Sequence, residues 1–324
     1  MSAKELPIFI GDAVPLDGLQ GKSVSVIGYG NQGKVHAKNL RDSGISIKIG
    51  ARNTASAIAD GFTATTIEKA SIADLVIIAL PDEVQGEVYL HHIEPHLKFG
   101  TTVGFIHGFA VHFGQITPPE GVGVVMVAPK GPGITVRKRY VEGSGVPALL
   151  AIHQENETNT ARDLALGWCA GIGSGRVGVL ESTFAHETET DLFGEQAIIV
   201  GGLAALVNAS YETLVDAGYP PQLAYIECCH EVKQVADILH DRGMADMMAA
   251  ISNTAEMGAY EAMELLDDEH LREHLRTLLK NVQNGAFAKR LVNHEIQNKR
   301  EELGNHEIEQ IGKEIRSLMQ SDDD

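Results

Sequence analysis

The sequence predicts an α/β protein in two parts, a doubly wound parallel sheet over residues 1–183 followed by an all-helical domain over residues 184–324, and three observations carry that prediction. Six short apolar runs, "SVSVIG", "ISIKIG", "DLVIIAL", "TTVGFI", "VGVVMVAP" and "VPALLAI", lie between Ser23 and Ile152, most of them separated by helical or loop segments. Strands alternating with helices argue for a parallel sheet covered on both faces. A glycine cluster stands between the first run and the helical-looking "NQGKVHAKNLRDSG". From Phe184 the texture changes to long amphipathic stretches with Gly and Pro at their joints, such as "GGLAALVNASYETLVDAGYPPQLAYIECCHEVKQVADILHDRG". No period of 20–50 residues recurs, so a solenoid is not expected.

Length and charge bound the function. A chain of 324 residues, 44% hydrophobic, can bury a sizeable core and favours two domains. A net charge of −18 disfavours a polyanionic partner such as nucleic acid and suits solubility or divalent cations. No apolar run approaches the roughly 20 residues of a membrane span, and "MSAKELPIFIGDAVPLDG" reads as neither signal nor transit peptide. The expectation is a cytoplasmic protein with no membrane partner. Cys169, Cys228 and Cys229 form no disulfide framework or zinc motif and read as small buried filler. The end "SDDD" reads as frayed.

Gly28-Tyr29-Gly30-Asn31-Gln32-Gly33 is a G-x-G-x-x-G placed between a strand and a helix. The first glycine permits a tight turn, the second lets a pyrophosphate approach the backbone, and the third allows close packing of helix on strand. Free N–H groups at the helix N-terminus then meet the phosphates. An acid about 20 residues on would hold the ribose 2′-OH of NAD. Here "KIGARNTAS" offers Arg52 instead, with Thr54 and Ser56 as hydroxyl donors, which fits the 2′-phosphate of NADP; the alternative is a solvated loop arginine. Two further residues sit where strands end and ligands collect. His107 follows an apolar run in "GFIHGF", and Lys130 precedes the Gly131-Pro132-Gly133 turn, whose Gly133 joins the cofactor-binding set. Each alone fits a structural hydrogen-bonder or a solvated charge; their shared position raises them.

Acids are the other anomaly. "FAHETETDLFGEQ" puts Glu187, Asp191 and Glu195 four apart, with Glu189 among them. On a helix, like charges at that spacing cost roughly 0.2–0.5 kcal/mol per pair. "YIECCHEVKQ" repeats the spacing with Glu227 and Glu231 amid apolar Leu223, Ala224, Ile226, Val232 and Val235. Two such helices could converge on hard oxygen ligands suited to Mg²⁺ or Mn²⁺; exposed acidic faces are the other reading. Glu227 and His230 share an E-x-x-H spacing without the second motif a di-iron bundle needs. The H-x-x-E-H of His270 to His274 sits in a heavily charged amphipathic segment and reads as a solvated face.

Together "GYGNQG", "GFIHGF", "VVMVAPKGPG", "ETETDLFGEQ", "AYIECCHEVK" and "ISNTAEMG" resemble ketol-acid reductoisomerase in its short form, over nearly the whole chain. The resemblance implies a Rossmann domain followed by a knotted helical domain, an arrangement that general topology rules disfavour. It implies NADP(H) and two Mg²⁺ ions, with Asp191 bridging both and Glu195 binding one. Glu227 and Glu231 would reach in from the partner subunit, so that the active sites are shared in a homodimer. Ser252 would hold the substrate carboxylate, and Glu231 would take or return the substrate's hydroxyl proton. His107 and Lys130 would assist proton movement, with Glu187 beside them. The implied reaction shifts an alkyl group within 2-acetolactate or 2-aceto-2-hydroxybutyrate and then reduces the product to a 2,3-dihydroxy acid, serving valine and isoleucine biosynthesis. The family's glycine motif commonly continues with two histidines flanking an alanine, where this chain has Lys34-Val35-His36-Ala37. Two other classes fit the two-part plan: a metal-independent dehydrogenase using Lys130 or His107, and a non-catalytic dinucleotide sensor.

Overall fold

The computed structural model describes residues 5–291 and 296–319; the "SDDD" end lies outside them. The chain divides into two compact units, Met1–Thr190 and Asp191–Asp324.

In the first unit, β1 (Ile8–Phe9), β2 (Val24–Ile27), β3 (Ile47–Gly50), β4 (Thr63–Thr65), β5 (Leu75–Ile78), β6 (Thr102–Phe105), β7 (Gly123–Pro129), β8 (Ala148–Gln154) and β9 (Val179–Glu181) form one sheet. Its order is β1-β9-β8-β7-β6-β5-β2-β3-β4. The six apolar runs supply β2, β3, β5, β6, β7 and β8. Alternate residues of these strands feed two cores. Val24, Val26, Ile49, Leu75, Ile77, Val125 and Leu150 face one, and Ile27, Val76, Ile78, Val103, Phe105, Val124 and Met126 face the other. Burial on both faces is what a doubly wound sheet requires. The helices between strands are α1 (Asn31–Asp42), α2 (Ala55–Ala59), α3 (Ile67–Ala70), α4 (Asp82–Val88), α5 (Phe109–His112), α6 (Gly133–Val141) and α7 (Ala161–Gly171).

The parallel, doubly wound sheet expected from the sequence is present, with two antiparallel pairings added on one side. Strands β2 to β7 pair in parallel, but β8 runs antiparallel to β7, and β1 antiparallel to β9. The connection after β7 returns at the same sheet edge. Its helix α6 packs on α1 through Val35, Val136 and Val146.

Helix α1 carries a buried histidine. Trp168 Nε1–H donates to His36 Nδ1 at 3.0 Å, so the ring proton sits on Nε2, which finds no partner. Burial pushes this imidazole down to about 3 from its ordinary 6.5. A proton is therefore bound by the unfolded chain before the folded one. The neutral ring's stabilisation is whole well above pH 6.5 and is lost progressively as pH falls below it. Urea unfolding at pH 7.5, 6 and 5 is expected to show a steeper loss for the natural chain than for His36→Gln; parallel pH profiles would refute it.

In the second unit, α8 (Phe184–Gly194) crosses the division and is followed by α9 (Gly201–Asp216), α10 (Pro221–Tyr225), α11 (Val232–Ala249) and α12 (Asn253–Leu266), with further helices at Glu269–Gln283, Ala286–Leu291, Ile296–Gly304 and Glu307–Met319. A small core gathers Tyr211, Ala224 and Tyr225 against Ile308, Ile311 and Ile315. Many large apolar side chains stay exposed, among them Ile198, Ile199, Leu206, Leu239 and Met257. No unbroken apolar run of membrane length occurs, yet one helical stretch qualifies for a membrane span on length and average composition alone. Phe184–Asp216 is a 33-residue helical stretch long and apolar enough by composition. Small residues and interspersed acids hide it from a search for unbroken large apolar runs. Of the three cysteines only Cys169 is fully buried, with Cys228 and Cys229 half-buried.

Candidate active site

The carboxyl ends of β3, β2 and β5 are level, because Ile27 lies beside both Gly50 and Ile78. The glycine turn opens there. Gly28 has φ +97°, and a Cβ on it would meet the Ala79 carbonyl oxygen at 2.5 Å. A Cβ at Gly33 would lie 2.4 Å from the Gly28 oxygen, while one at Gly30 meets nothing within 4 Å. Two glycines are thus demanded by packing, and the third faces open space beside a helix end. Gly30 caps α1 without a side-chain hydrogen bond, so the first N–H groups of α1 remain available to an anion. Gln32 Nε2 donates to the Gly131 oxygen at 3.2 Å, and its buried Oε1 has no partner. Gly133 is close-packed as well, since a Cβ would stand 2.8 Å from the Asn31 oxygen. These residues fit a dinucleotide pyrophosphate.

Arg52, Thr54 and Ser56 fall in and just after the turn that leaves β3. Arg52 is exposed and has no ion pair among the described residues. Sequence reasoning missed Asp60, just past the end of α2. The Tyr29 hydroxyl donates to Asp60 Oδ2 at 2.9 Å, and Lys38 and Lys34 pair with the same carboxylate at 2.8 and 2.9 Å. Those hydrogen bonds, from Lys38 above all, hold its carboxyl well below the usual range. Lys34 thus ties α1 to the end of α2. The only signal in the sequence was an acid about 30 residues beyond the glycine turn.

His107 stands two residues past β6 and Lys130 one past β7, and Glu187 on α8 meets both. His107 Nδ1 lies 3.0 Å from Glu187 Oε2, and Lys130 Nζ donates to Oε1 at 2.7 Å. The Gly108 backbone N–H also donates to Oε2 at 2.9 Å, a partner that no side-chain pattern could announce. Glu187 is 1% exposed. Burial alone would raise its carboxyl, yet His107 and Lys130 outweigh that and hold it at about 2. The result is an ionised buried acid that fixes an imidazole and an ammonium at the ends of two neighbouring parallel strands. Gly108 is required, since a Cβ would meet Thr188 Oγ1 at 2.5 Å.

The other predicted acids belong to the second unit. Asp191 lies one turn beyond Glu187 on α8 and is half-buried. Glu195 does not continue that helix; it opens a π-helical turn, Glu195–Ile199, closed by the Val200 N–H donating to the Glu195 oxygen. Glu227 sits in a second π turn, Ile226–His230, closed by the Glu231 N–H donating to the Ile226 oxygen. The expected regular i, i+4 helical spacing is corrected at both places. π turns are rare and concentrate at functional sites. Glu227 and Glu231 are exposed, without a Lys or Arg partner among the described residues. Ser252 is exposed and caps α12, its Oγ accepting the Ala255 N–H at 3.2 Å. The side chains of Asp191, Glu195, Glu227 and Glu231 offer only oxygen, the chemistry that Mg²⁺ takes.

Comparison with known proteins agrees with this picture. The family model described as "Acetohydroxy acid isomeroreductase, NADPH-binding domain" matches residues 18–178. The one described as "Ketol-acid reductoisomerase, C-terminal domain" matches residues 184–321. An NADH-preferring ketol-acid reductoisomerase from an uncultured archean is 41% identical over 97% of this chain and 99% of its own, with a TM-score of 0.93. A semialdehyde dehydrogenase NAD-binding protein from Cupriavidus necator, in complex with calcium and NAD, shares the fold at 19% identity, TM-score 0.61, over 81% of this chain and 99% of its own. With a dinucleotide turn built for NAD(P)H, a buried acid joining two strand ends, and two family models spanning nearly its whole length, the chain belongs to the ketol-acid reductoisomerases, oxidoreductases of branched-chain amino acid biosynthesis.

Proposed function

We propose that this enzyme, soluble in the cytoplasm, takes NADPH and two Mg²⁺ ions and converts 2-acetolactate or 2-aceto-2-hydroxybutyrate to the 2,3-dihydroxy acid. The observation that carries the reading is Glu187 holding His107, Lys130 and the Gly108 N–H in a buried cluster one helical turn before Asp191. Asp191, Glu195, Glu227 and Glu231 would hold the metals, which would polarise the ketone and lower the hydroxyl's pKa. Glu231 then receives the hydroxyl proton and Ser252 binds the substrate carboxylate. Lys130 and His107, kept in place by Glu187, donate to the oxygen that becomes a hydroxyl on reduction. The nicotinamide supplies the hydride, and the protein supplies positioning.

Arg52, with Thr54 and Ser56, favours the 2′-phosphate. The archaeal relative described as NADH-preferring supports the opposite reading for this loop. A homodimer that shares its sites is supported by the apolar side chains the second unit leaves exposed and by the exposure of Glu227 and Glu231.

One assay tests these points. NADPH oxidation with racemic 2-acetolactate is expected to require Mg²⁺, to stop with excess chelator, and to exceed NADH oxidation. Specific activity should fall on dilution as the dimer separates. Turnover that survives chelation would instead indicate a metal-independent dehydrogenase.

A further inference from the structure

The glycine turn lies at the carboxyl edge of the parallel strands. At the opposite edge, where β2, β5 and β6 begin, the first unit carries a separate cavity of about 280 Å³. The strands between are four residues long, so roughly 13 Å of sheet separates the two edges. Lys22 and Lys98 line the cavity, and neither ammonium has a carboxylate within ion-pair distance among the described residues. Asp74 is the lining acid, and its Oδ2 is committed internally: it accepts the Ser23 N–H at 2.8 Å and the Ser23 hydroxyl at 2.6 Å. Thr158 and Thr160 belong to the same lining, their hydroxyls 3.0 Å apart.

Those threonines are held in place. Asn156, 3% exposed, donates to the Gly100 oxygen and to Thr160 Oγ1, and accepts from Thr158 Oγ1 and the Thr160 N–H. Between them Asn159 has φ 51°, the one non-glycine residue at positive φ among the described residues. The lining thus sums to one positive charge in a chain of net charge −18, with both lysines acting at longer range on the Asp74 carboxylate. Ligand sites usually begin near 300 Å³, so the occupant must be small.

We propose that this cavity binds a small oxyanion of the phosphate or dicarboxylate class, gripped by Lys22 and Lys98. The site is distinct from the glycine turn of the first unit, so its occupant does not compete with NADPH. An anion that binds only the folded state raises the melting temperature.

The test uses the full-length protein saturated with NADPH, which blocks the pyrophosphate position. Inorganic phosphate and succinate are titrated in separate arms against chloride at matched ionic strength, by thermal unfolding and by calorimetry. At about ten times its dissociation constant, at least one of the two should raise Tm by a few degrees above the chloride control. Calorimetry should give one site per chain. Lys22→Ala/Lys98→Ala and Lys22→Gln/Lys98→Gln should both lose the shift while keeping the natural Tm in chloride and the natural NADPH affinity. A shift with phosphate alone, or with succinate alone, identifies the ligand class. No shift with either anion, or equal shifts in the lysine variants, would overturn the proposal.

Discussion

Replacing Glu187 with Gln is expected to damage stability and turnover together. The carboxylate is 1% exposed and receives three donors, His107, the Gly108 N–H and Lys130. An amide keeps one acceptor oxygen and presents an NH₂ group to the remaining donors, and Lys130 loses the Glu187 charge it pairs with. Removing one member of a buried pair costs about 3–5 kcal/mol. Lys130 is one-third exposed, and water can screen it, so a loss near about 3 kcal/mol is expected by urea unfolding. Because Glu187 aims His107 and Lys130, kcat should fall roughly 10- to 100-fold, with NADPH affinity unchanged. A variant with natural kcat would show that the cluster supports the fold and not the reaction.

Gly33→Ala should abolish tight dinucleotide binding, and Gly30→Ala should do so by a different route. At Gly33 the added methyl meets the Gly28 carbonyl oxygen at 2.4 Å and the Ala79 Cβ at 3.0 Å. Neither group sits on a flexible side chain, so the first turn of α1 has to shift, at a cost of about 1–3 kcal/mol. At Gly30 the methyl meets no protein atom within 4 Å. It occupies the space through which a pyrophosphate approaches. Fluorescence titration with NADPH should show losses of about 100-fold or more in both, equivalent to roughly 3 kcal/mol. Thermal unfolding without cofactor should show a lowered Tm only for Gly33→Ala. Natural affinity in Gly30→Ala would mean that the dinucleotide lies elsewhere.

Much of the first unit was legible because its strands are buried on both faces and therefore read as unbroken apolar runs. The strands that escaped notice, β1, β4 and β9, are two or three residues long, too short for any periodicity to register. The reversal of β8 escaped because direction depends on where a connection packs, here α6 on α1, and not on the strand's own residues. The glycine turn was legible through its spacing. The grip of Asp60 on Tyr29, Lys34 and Lys38 was not, since it is long-range and made by ordinary surface residue types. His107 and Lys130 were each ambiguous alone, and Glu187 resolves them. Acids spaced by four suggested an α-helical face at Glu195 and Glu227, and a local change of winding decided otherwise.

That change of winding bears on which sequences can replace this one. A π turn closes i to i+5, one residue more than an α-helical turn. Removing a single residue from Glu195–Ile199 or Ile226–His230 would let the backbone relax into continuous α-helix. Residues downstream would stay almost where they are, because five residues of π turn take the place of about four of α-helix; what would change is the turn itself, where Glu195 and Glu227 stand. Substitutions in these segments can be absorbed one side chain at a time. A deletion would unmake the widened turn that presents the acid, so alleles and engineered libraries of this chain should tolerate replacements beside Glu195 and Glu227 while excluding single-codon deletions there.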